Sequence, residues 1–302
     1  MKKFPSLFLR RWVAAIAGLL FVFVGTAAIA QSAGSPETRA AALLEKHAAM
    51  APQLAQNAYR RPLFLESTEG GNKVSGSAYA VLDSSLSMVS TAFKSPNHWC
   101  DVLILHLNTK YCRADSDASP TTLKVDIGKK TPQSLDDAFE LEFLYRLGSA
   151  SPTFLAVQLS APKGPLGTSD YRIELEAVPL PAGKTFMHLR YSYAYGVAGR
   201  LAMQTYLATL GSGKIGFTQI RDGTKFTYVG GMRGAVERNT MRYYLAMEAY
   251  LASLGQPLAQ QVDSRLVHWF DATEEYSRQL HEVDRSSYMA MKKDEYQRQK
   301  TE

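Results

Sequence analysis

The chain has 302 residues of ordinary globular composition and a formal net charge of +6. This length is enough to bury a sizeable core, either as one large domain or as one domain with extensions. No dense group of Lys and Arg alternates with aromatic residues, and the basic stretch at 292–300 is diluted by acidic residues. The composition therefore argues against a nucleic-acid partner.

The N-terminus has the three parts of a secretory signal peptide. Four basic residues within positions 1–11 precede an apolar run at 12–29, which closes with the small-residue sequence Ala-Ile-Ala. We therefore predict a signal peptide over 1–30, cleaved near Ala30, and a periplasmic or secreted mature protein with nearly balanced charge. An uncleaved membrane anchor is the alternative, because the apolar run is just long enough to span a bilayer.

The two cysteines, Cys100 and Cys112, both lie in the part that is predicted to be exported. An oxidising compartment and the short separation of the pair predict one disulfide, worth about 3 kcal/mol for a loop of about a dozen residues. Two free buried thiols are the alternative. A redox-active pair is disfavoured because the spacing is not Cys-x-x-Cys.

Helical patterns come first in the exported part. Residues 31–66 are predicted to form an N-terminal helical extension, which Pro52 kinks or splits. The sequence GNKVSGSAYAVLDSS then alternates between two kinds of side chain and is the first predicted strand. Two short helices follow it, at Leu86–Phe93 and from His98 to Leu103, separated by the breaker Lys-Ser-Pro-Asn.

Alternating apolar and polar residues then predict a series of antiparallel strands with one wet face. The predicted strands cover 121–130, 137–147, 153–159, 171–178 and 186–195. A helical run at 197–210 interrupts them. Two further runs, 214–220 and 225–231, flank an Asp-Gly pair that signals a hairpin.

The last strand leads into a long amphipathic helix that ends at Gly255, with Pro257 behind it. Its inner face is marked by residues that recur every three to four positions, namely Met241, Tyr244, Met247, Leu251 and Leu254. Such a face must pack on the preceding sheet. The predicted fold is therefore α+β, with a curved antiparallel sheet wrapped around this helix and a ligand-sized cavity between them. Residues 256–302 are predicted to be a C-terminal helical extension that frays beyond Arg285.

This order of elements resembles the helix-grip architecture of the START-like (SRPBCC) superfamily over roughly 73–254, and we predict a START-like domain over 67–255. The pieces that carry the resemblance are SSLSMVSTAFKSPNHWCDV, the helix pair after the first strand, and ERNTMRYYLAMEAYL in the long helix. The superfamily includes polyketide cyclases, plant pathogenesis-related allergens and lipid-transfer proteins. An exported bacterial member would be expected to hold a lipid-like or polycyclic molecule in a hydrophobic cavity between the sheet and the helix.

The predicted ligand-binding residues are apolar, tyrosine and arginine side chains on the last strands and the long helix. Tyrosine combines an apolar body with a polar tip, and arginines at a cavity rim would meet an anionic headgroup. The set is Met187, Leu189, Tyr191, Tyr193, Tyr195, Tyr228, Met241, Tyr244, Arg233 and Arg238. The five residues on the strand should line the cavity together or not at all. Ordinary core tyrosines and a surface ion-pair network are the alternatives.

The sequence contains no convincing catalytic or cofactor motif. A phosphate loop and a Gly-x-Ser-x-Gly elbow are absent. His98, Asp101 and His106 have poor spacing for a metal site, and a capped helix with surface polar groups explains them better. We therefore predict no metal, no cofactor and no catalytic residue.

Three functional hypotheses follow. The first is a carrier of a hydrophobic or amphiphilic small molecule, with transient membrane contact. The second is a cyclase- or hydrolase-type enzyme, which needs an ionisable residue with a perturbed pKa inside the cavity, such as His188 or His106 pointing inward. The third is an envelope protein whose interior is filled by its own side chains and whose extensions contact a partner.

Overall fold

The computed structural model describes residues 34–208 and 213–301, and the predicted signal peptide lies outside these ranges. The helices are α1 (Pro36–Ala49), α2 (Ala51–Ala55), α3 (Leu86–Phe93), α4 (Pro96–Leu103), α5 (Val197–Ala208), α6 (Gly231–Ser253), α7 (Leu258–Glu274), α8 (Ser277–Leu280) and α9 (Arg285–Thr301). The strands are β1 (Leu63–Gly70), β2 (Lys73–Leu82), β3 (Thr109–Asp115), β4 (Thr122–Ile127), β5 (Phe139–Ala150), β6 (Leu155–Lys163), β7 (Thr168–Leu180), β8 (Lys184–Tyr195), β9 (Gln219–Asp222) and β10 (Lys225–Tyr228).

Eight strands form one antiparallel sheet in the order β1-β2-β8-β7-β6-β5-β4-β3. Helices α3 and α4 connect β2 to β3, so the two ends of the sheet are joined by this helix pair. One face of the sheet wraps around α6, which packs on β1, β2 and β8. The predicted α+β helix-grip fold is confirmed.

Helix α6 is buried on almost all sides because α7 packs against the side that faces away from the sheet. Its contact with the sheet is closest at Gly76 on β2, where a side chain would collide with Thr240. Met241 and Tyr244 are buried in the main core, and each such side chain contributes on the order of 1.5–3 kcal/mol. Helix α6 is therefore anchored at one half of the sheet.

A second, smaller core lies on the outer face of the sheet. There α1 packs on β7 and β8, and Leu43 and Leu54 are buried against Tyr79, Phe154 and Phe186. The predicted split near Pro52 is confirmed, since α1 ends at Ala49 and α2 begins at Ala51. The sheet is thus covered by helices on both faces.

Several predicted elements differ from the structure. Strands β1 and β3 were not predicted, so the strand predicted to be first is β2. The last strand before α6 is β10, which pairs with β9 in a separate two-stranded sheet and not with the main sheet. The stretch beyond Arg285 is the regular helix α9 rather than a frayed end, and it buries Tyr288 and Lys292 completely.

The predicted disulfide between Cys100 and Cys112 is present and joins α4 to β3. The segment between the two cysteines includes the turn 104–108, which ends next to the concave face of the sheet. Among the described residues, no helix is both long and apolar enough to cross a membrane.

Candidate functional site

A cavity of about 780 Å³ lies between α6 and strands β4, β5, β7 and β8. Helix α6 packs on the β1–β2–β8 side of the sheet, so its other flank faces the remaining strands without touching them closely. The residues that α6 presents to the cavity include Ala235, Arg238, Asn239 and Arg242. Their spacing of three, four and seven positions places them on one face of the helix.

The cavity has one aliphatic and aromatic wall and one tyrosine wall. The first wall consists of Leu103, Val125, Ile127, Leu141 and Phe143. In the second wall, Tyr171 stacks on Tyr193 at 5.2 Å between ring centroids, and Tyr191 meets the edge of Tyr243 at 5.3 Å. Burial raises the pKa of all four tyrosine hydroxyls, so they stay neutral hydrogen-bonding groups at any physiological pH.

The inner end of the cavity is polar and carries more positive than negative charge. The Glu282 carboxylate forms ion pairs with Arg242 at 2.9 Å and with Lys130 at 2.6 Å, and it also pairs with Lys214. Burial alone would raise the pKa of Glu282, but these cations lower it to about 2. Burial and the nearby Arg242 lower the pKa of Lys130 to about 8. Three cations around one carboxylate leave a positive surplus beside the cavity.

His106 lies at the same polar end and is only 4% exposed. Its Nδ1 accepts a hydrogen bond from the backbone N–H of Asn108 at 3.1 Å, so the proton of the neutral ring is on Nε2. Burial, together with Arg242, Lys292 and Lys130, holds the pKa of His106 well below its usual value. The ring is therefore a neutral hydrogen-bond donor at physiological pH.

The C-terminal extension holds the turn that carries His106. Lys292 of α9 donates to the carbonyl oxygens of His106 and Thr109, both at 2.7 Å, and Tyr288 donates to Leu105 at 3.0 Å. Lys292 is fully buried and is balanced by Glu295, whose other oxygen binds the buried Lys110 at 2.9 Å. Through these bonds α9 positions one wall of the cavity.

The mouth of the cavity lies where its lining residues become exposed. Leu166, at the tip of the β6–β7 turn, is 70% exposed, and Lys129, Thr131 and Asp137 are exposed as well. The first turns of α5 pack on the 165–167 turn. The cavity thus runs from this apolar tip to the polar end at His106.

Three predicted ligand-binding residues, Tyr191, Tyr193 and Arg238, do line the cavity. Their role in binding stays a prediction. The other seven are placed elsewhere. The structure buries Met187, Leu189, Tyr195, Met241 and Tyr244 in the packed core, and it places Tyr228 on β10 and Arg233 beside β1.

The prediction that the five residues of β8 line the cavity together is wrong. All five are buried on the α6 side of the sheet, but α6 covers the part of β8 next to β2, and the open space begins only near Tyr191. Tyr195 instead donates to Glu69 at 2.9 Å. The strand has one inward face, but only part of that face is left uncovered.

Arg233 and Arg238 were both predicted to bind the ligand, but they lie on different faces of α6. Five residues correspond to about 500° of helix rotation, which places the two side chains about 140° apart. Arg233 donates to Ser67 at 3.1 Å, whereas Arg238 donates to the carbonyl oxygen of Ile215 at 3.1 Å and lines the cavity. Arg242, four residues after Arg238, is the arginine that shares its face.

The histidines and acids singled out in the sequence do not form a metal site, and no cluster of metal-ligating side chains occurs among the described residues. His98 bonds the carbonyl oxygen of Ala92 at 2.8 Å, and Asp101 pairs with Arg265 at 3.0 Å. His188 lies on the outer face, stacked on Tyr79 at 4.2 Å. Of the two histidines named for a catalytic role, only His106 points into the cavity.

An antiparallel sheet wrapped around a long helix, with a cavity between the two, defines a helix-grip protein. The helix-grip fold that the resemblance to the START-like superfamily implied is present in the structure. No family model matches the sequence, and no curated protein matches it either.

Several solved structures are similar to this chain, each at a low TM-score and a low sequence identity. Norcoclaurine synthase from Thalictrum flavum matches with a TM-score of 0.32 and 13% identity, over 49% of this chain and 82% of its own. Human StAR-related lipid transfer protein 5 matches with a TM-score of 0.31 and 10% identity, over 57% and 90% of the two chains. The Zhui aromatase/cyclase from Streptomyces sp. R1128 matches with a TM-score of 0.31 and 10% identity, over 73% and 100%. Such similarity concerns the fold alone.

Proposed function

We propose that the protein is an exported carrier of an amphiphilic small molecule, which it holds in the cavity between α6 and the sheet. The cavity of about 780 Å³ is the observation that carries the proposal, since ligand sites typically measure roughly 300–1,000 Å³. The lining is mostly apolar and aromatic along its two walls and polar around His106, Arg242 and Glu282. A molecule with an apolar body and a polar head matches this division.

The other two hypotheses fit less well. A non-binding envelope protein requires an interior filled by its own side chains, and the open space beneath α6 contradicts that requirement. An enzyme is the second candidate, because His106 points into the cavity with a strongly lowered pKa. A base with so low a pKa is weak, however, and the four tyrosines beside it are also neutral, so a carrier is favoured.

Mass spectrometry of the natively purified protein tests the carrier and its export together. We expect a mature protein that begins near residue 31 in the periplasmic or secreted fraction, with a non-covalently bound amphiphile. Finding the intact N-terminus in the inner membrane would contradict cleavage and favour the uncleaved membrane anchor, whereas finding the protein in the cytoplasm would contradict export. Finding a chemically altered ligand after incubation with the extracted molecule would favour the enzyme.

Replacing Ala235 by Phe should block the cavity. Ala235 lies on the cavity face of α6, and an added ring has only the open space to enter. We expect binding of the extracted ligand to weaken by about tenfold or more, with little loss of stability. Ala252→Phe, on an exposed position of the same helix, is the matched control. Equal binding by the two variants would place the ligand elsewhere.

An exposed apolar patch surrounds the mouth and suits contact with a membrane. It consists of Leu166, Val197 and Leu201, which are 70%, 89% and 66% exposed. The exposed basic residues Lys163 and Arg200 flank it, which is complementary to an anionic lipid surface. We propose that this patch touches an anionic bilayer while the ligand passes through the mouth.

The patch is tested with the double substitution Leu166→Asp and Leu201→Asp. We expect binding to vesicles of phosphatidylcholine with phosphatidylglycerol to weaken by about tenfold, because two apolar side chains no longer insert. Leu258→Asp, at a leucine outside the patch that is 85% exposed, should leave vesicle binding unchanged. A loss of equal size in the control would show that the patch is not the contact.

A further inference from the structure

The Nε2 atom of His106 is a buried donor without a hydrogen-bond partner. Asn108 fixes the tautomer through Nδ1, and Lys292 fixes the backbone of the same residue. The ring also packs against Tyr243 at 5.2 Å between centroids. The Asn239 side chain lies beside the ring and favours its protonation, yet no hydrogen bond to Nε2 is formed.

A buried polar group without a partner is costly and rare in folded proteins. Asn108, Lys292 and Tyr243 hold the residue in place without offering Nε2 an acceptor, and Asn239 does not meet Nε2 at hydrogen-bond geometry. The ring lines the cavity, but Nε2 itself has almost no exposed surface, so an acceptor in the cavity meets this N–H only after lining side chains shift. The unpaired donor therefore indicates an acceptor on the ligand.

The surrounding charge tells which kind of acceptor is favoured. Arg242 and Lys130 lie near enough to oppose protonation of His106, and the charged residues that line the cavity are four cations, Lys129, Lys130, Arg238 and Arg242, and two anions, Asp137 and Glu282. The Glu282 carboxylate offsets only part of this charge, because it is shared among Arg242, Lys130 and Lys214. A negatively charged oxygen is stabilised at such a place, and an ammonium group is repelled.

We propose that the polar head of the bound molecule is an oxyanion, a carboxylate or a phosphate, that accepts a hydrogen bond from His106 Nε2–H. This inference rests on the proposed carrier function and names the chemical class of its ligand. The Asn239 amide and the Tyr191 hydroxyl, which interact with each other beside the ring, complete the head site. The apolar body of the ligand then extends along the tyrosine wall to the mouth at Leu166.

A series of probes with one chain length and four heads tests the inference. Dodecanoate, dodecyl phosphate, dodecanol and dodecylamine differ only at the head, and their affinities are measured by calorimetry below their critical micelle concentrations. We expect the wild-type protein to bind at least one of the two anions about tenfold or more tightly than dodecanol. Dodecylamine, which is a cation at neutral pH, should bind most weakly.

The variant His106→Leu should lose the preference for the anion while it still binds dodecanol, because the apolar lining is unchanged. His106→Asn, which keeps an N–H donor, should restore part of the preference. His188→Leu, at a histidine on the outer face, should leave all four affinities unchanged. The ratio of anion to alcohol affinity is the readout, since it does not change when a variant is merely less stable.

The wild-type protein offers a second readout. With ¹⁵N-labelled histidine, the Nε2–H signal of His106 should move downfield when the anion binds and stay in place with dodecanol. Equal affinity for all four heads, or an unmoved signal, would overturn the inference while cavity binding stands. If Ala235→Phe weakens the binding of none of the four probes, the proposed carrier function itself is contradicted. A preference for dodecanoate alone or for dodecyl phosphate alone would identify the head.

Discussion

Replacing Glu282 by Gln is expected to lower the free energy of unfolding by about 3–5 kcal/mol. The Glu282 side chain is only 8% exposed and is the carboxylate shared by Arg242, Lys130 and Lys214. An amide has nearly the same shape but no charge, so the substitution leaves three cations close together with no anion between them. Urea denaturation at pH 7 measures the loss.

The pH dependence gives this prediction a definite sign. The pKa of Glu282 is about 2 in the folded protein, below the ordinary value of 4.5. Its contribution is therefore fully present above pH 4.5 and is lost as the pH falls toward 2. We expect the difference in stability between wild type and Glu282→Gln to shrink over that range, because a protonated carboxyl resembles an amide.

A matched control separates a buried carboxylate from an exposed one. Glu140 pairs with Lys124 at 2.7 Å, but both side chains are more than half exposed. Glu140→Gln should cost less than about 1 kcal/mol, since solvent screens such a pair. If both variants lose the same amount, the charges at the cavity end do not stabilise the protein as the contacts indicate.

The strands that the sequence predicted well are those with one buried and one wet face. In β7, for example, Ile173 and Leu175 are buried while their neighbours are half-exposed, so the alternation is visible in the sequence. Strand β3 shows no alternation because its residues from Thr109 to Cys112 are all buried, between α4 on one side and α9 on the other. A period-two pattern disappears when both faces are covered.

The candidate site was only partly predictable for a different reason. Tyr191 and Tyr193 belong to a strand whose inward face can be recognised from the alternation in the sequence. Lys130 and Glu282 come from a loop and from the segment before α9, and nothing in either stretch distinguishes them from surface charges. Their meeting depends on where the C-terminal extension packs. Distant polar residues become a site only through the tertiary fold.

His106 illustrates the same limit. In the sequence it was one member of a poorly spaced metal triad, and its position relative to Asp101 carried no functional meaning. In the structure its environment comes from Asn108 nearby, from Lys292 on α9 and from Arg242 on α6. Arg238 and Arg242 are four residues apart on α6, a spacing that places them on one face, so this part of the positive end could be recognised from the sequence.

Replacing Gly76 by Val is expected to lower the free energy of unfolding by about 3 kcal/mol or more. A Cβ atom at Gly76 would lie 2.4 Å from Thr240 Oγ1 and 3.3 Å from the backbone oxygen of Val236, both on α6. Valine is a better strand former than glycine, by up to about 1 kcal/mol. Without this contact the substitution would therefore stabilise the protein, so the sign of the effect tests the contact between α6 and β2.

The smaller substitution Gly76→Ala allows a rescue. Removing the hydroxyl with Thr240→Ala eliminates the 2.4 Å collision and leaves a Cβ atom at 3.3 Å, a distance that small shifts can absorb. We expect the free energy of unfolding of the double variant to exceed the value that the two single effects add up to by about 1 kcal/mol or more. Gly70→Ala, where a Cβ meets nothing within 4 Å, is the control and should change little. If the effects of the two substitutions are strictly additive, α6 does not rest on β2 at Gly76.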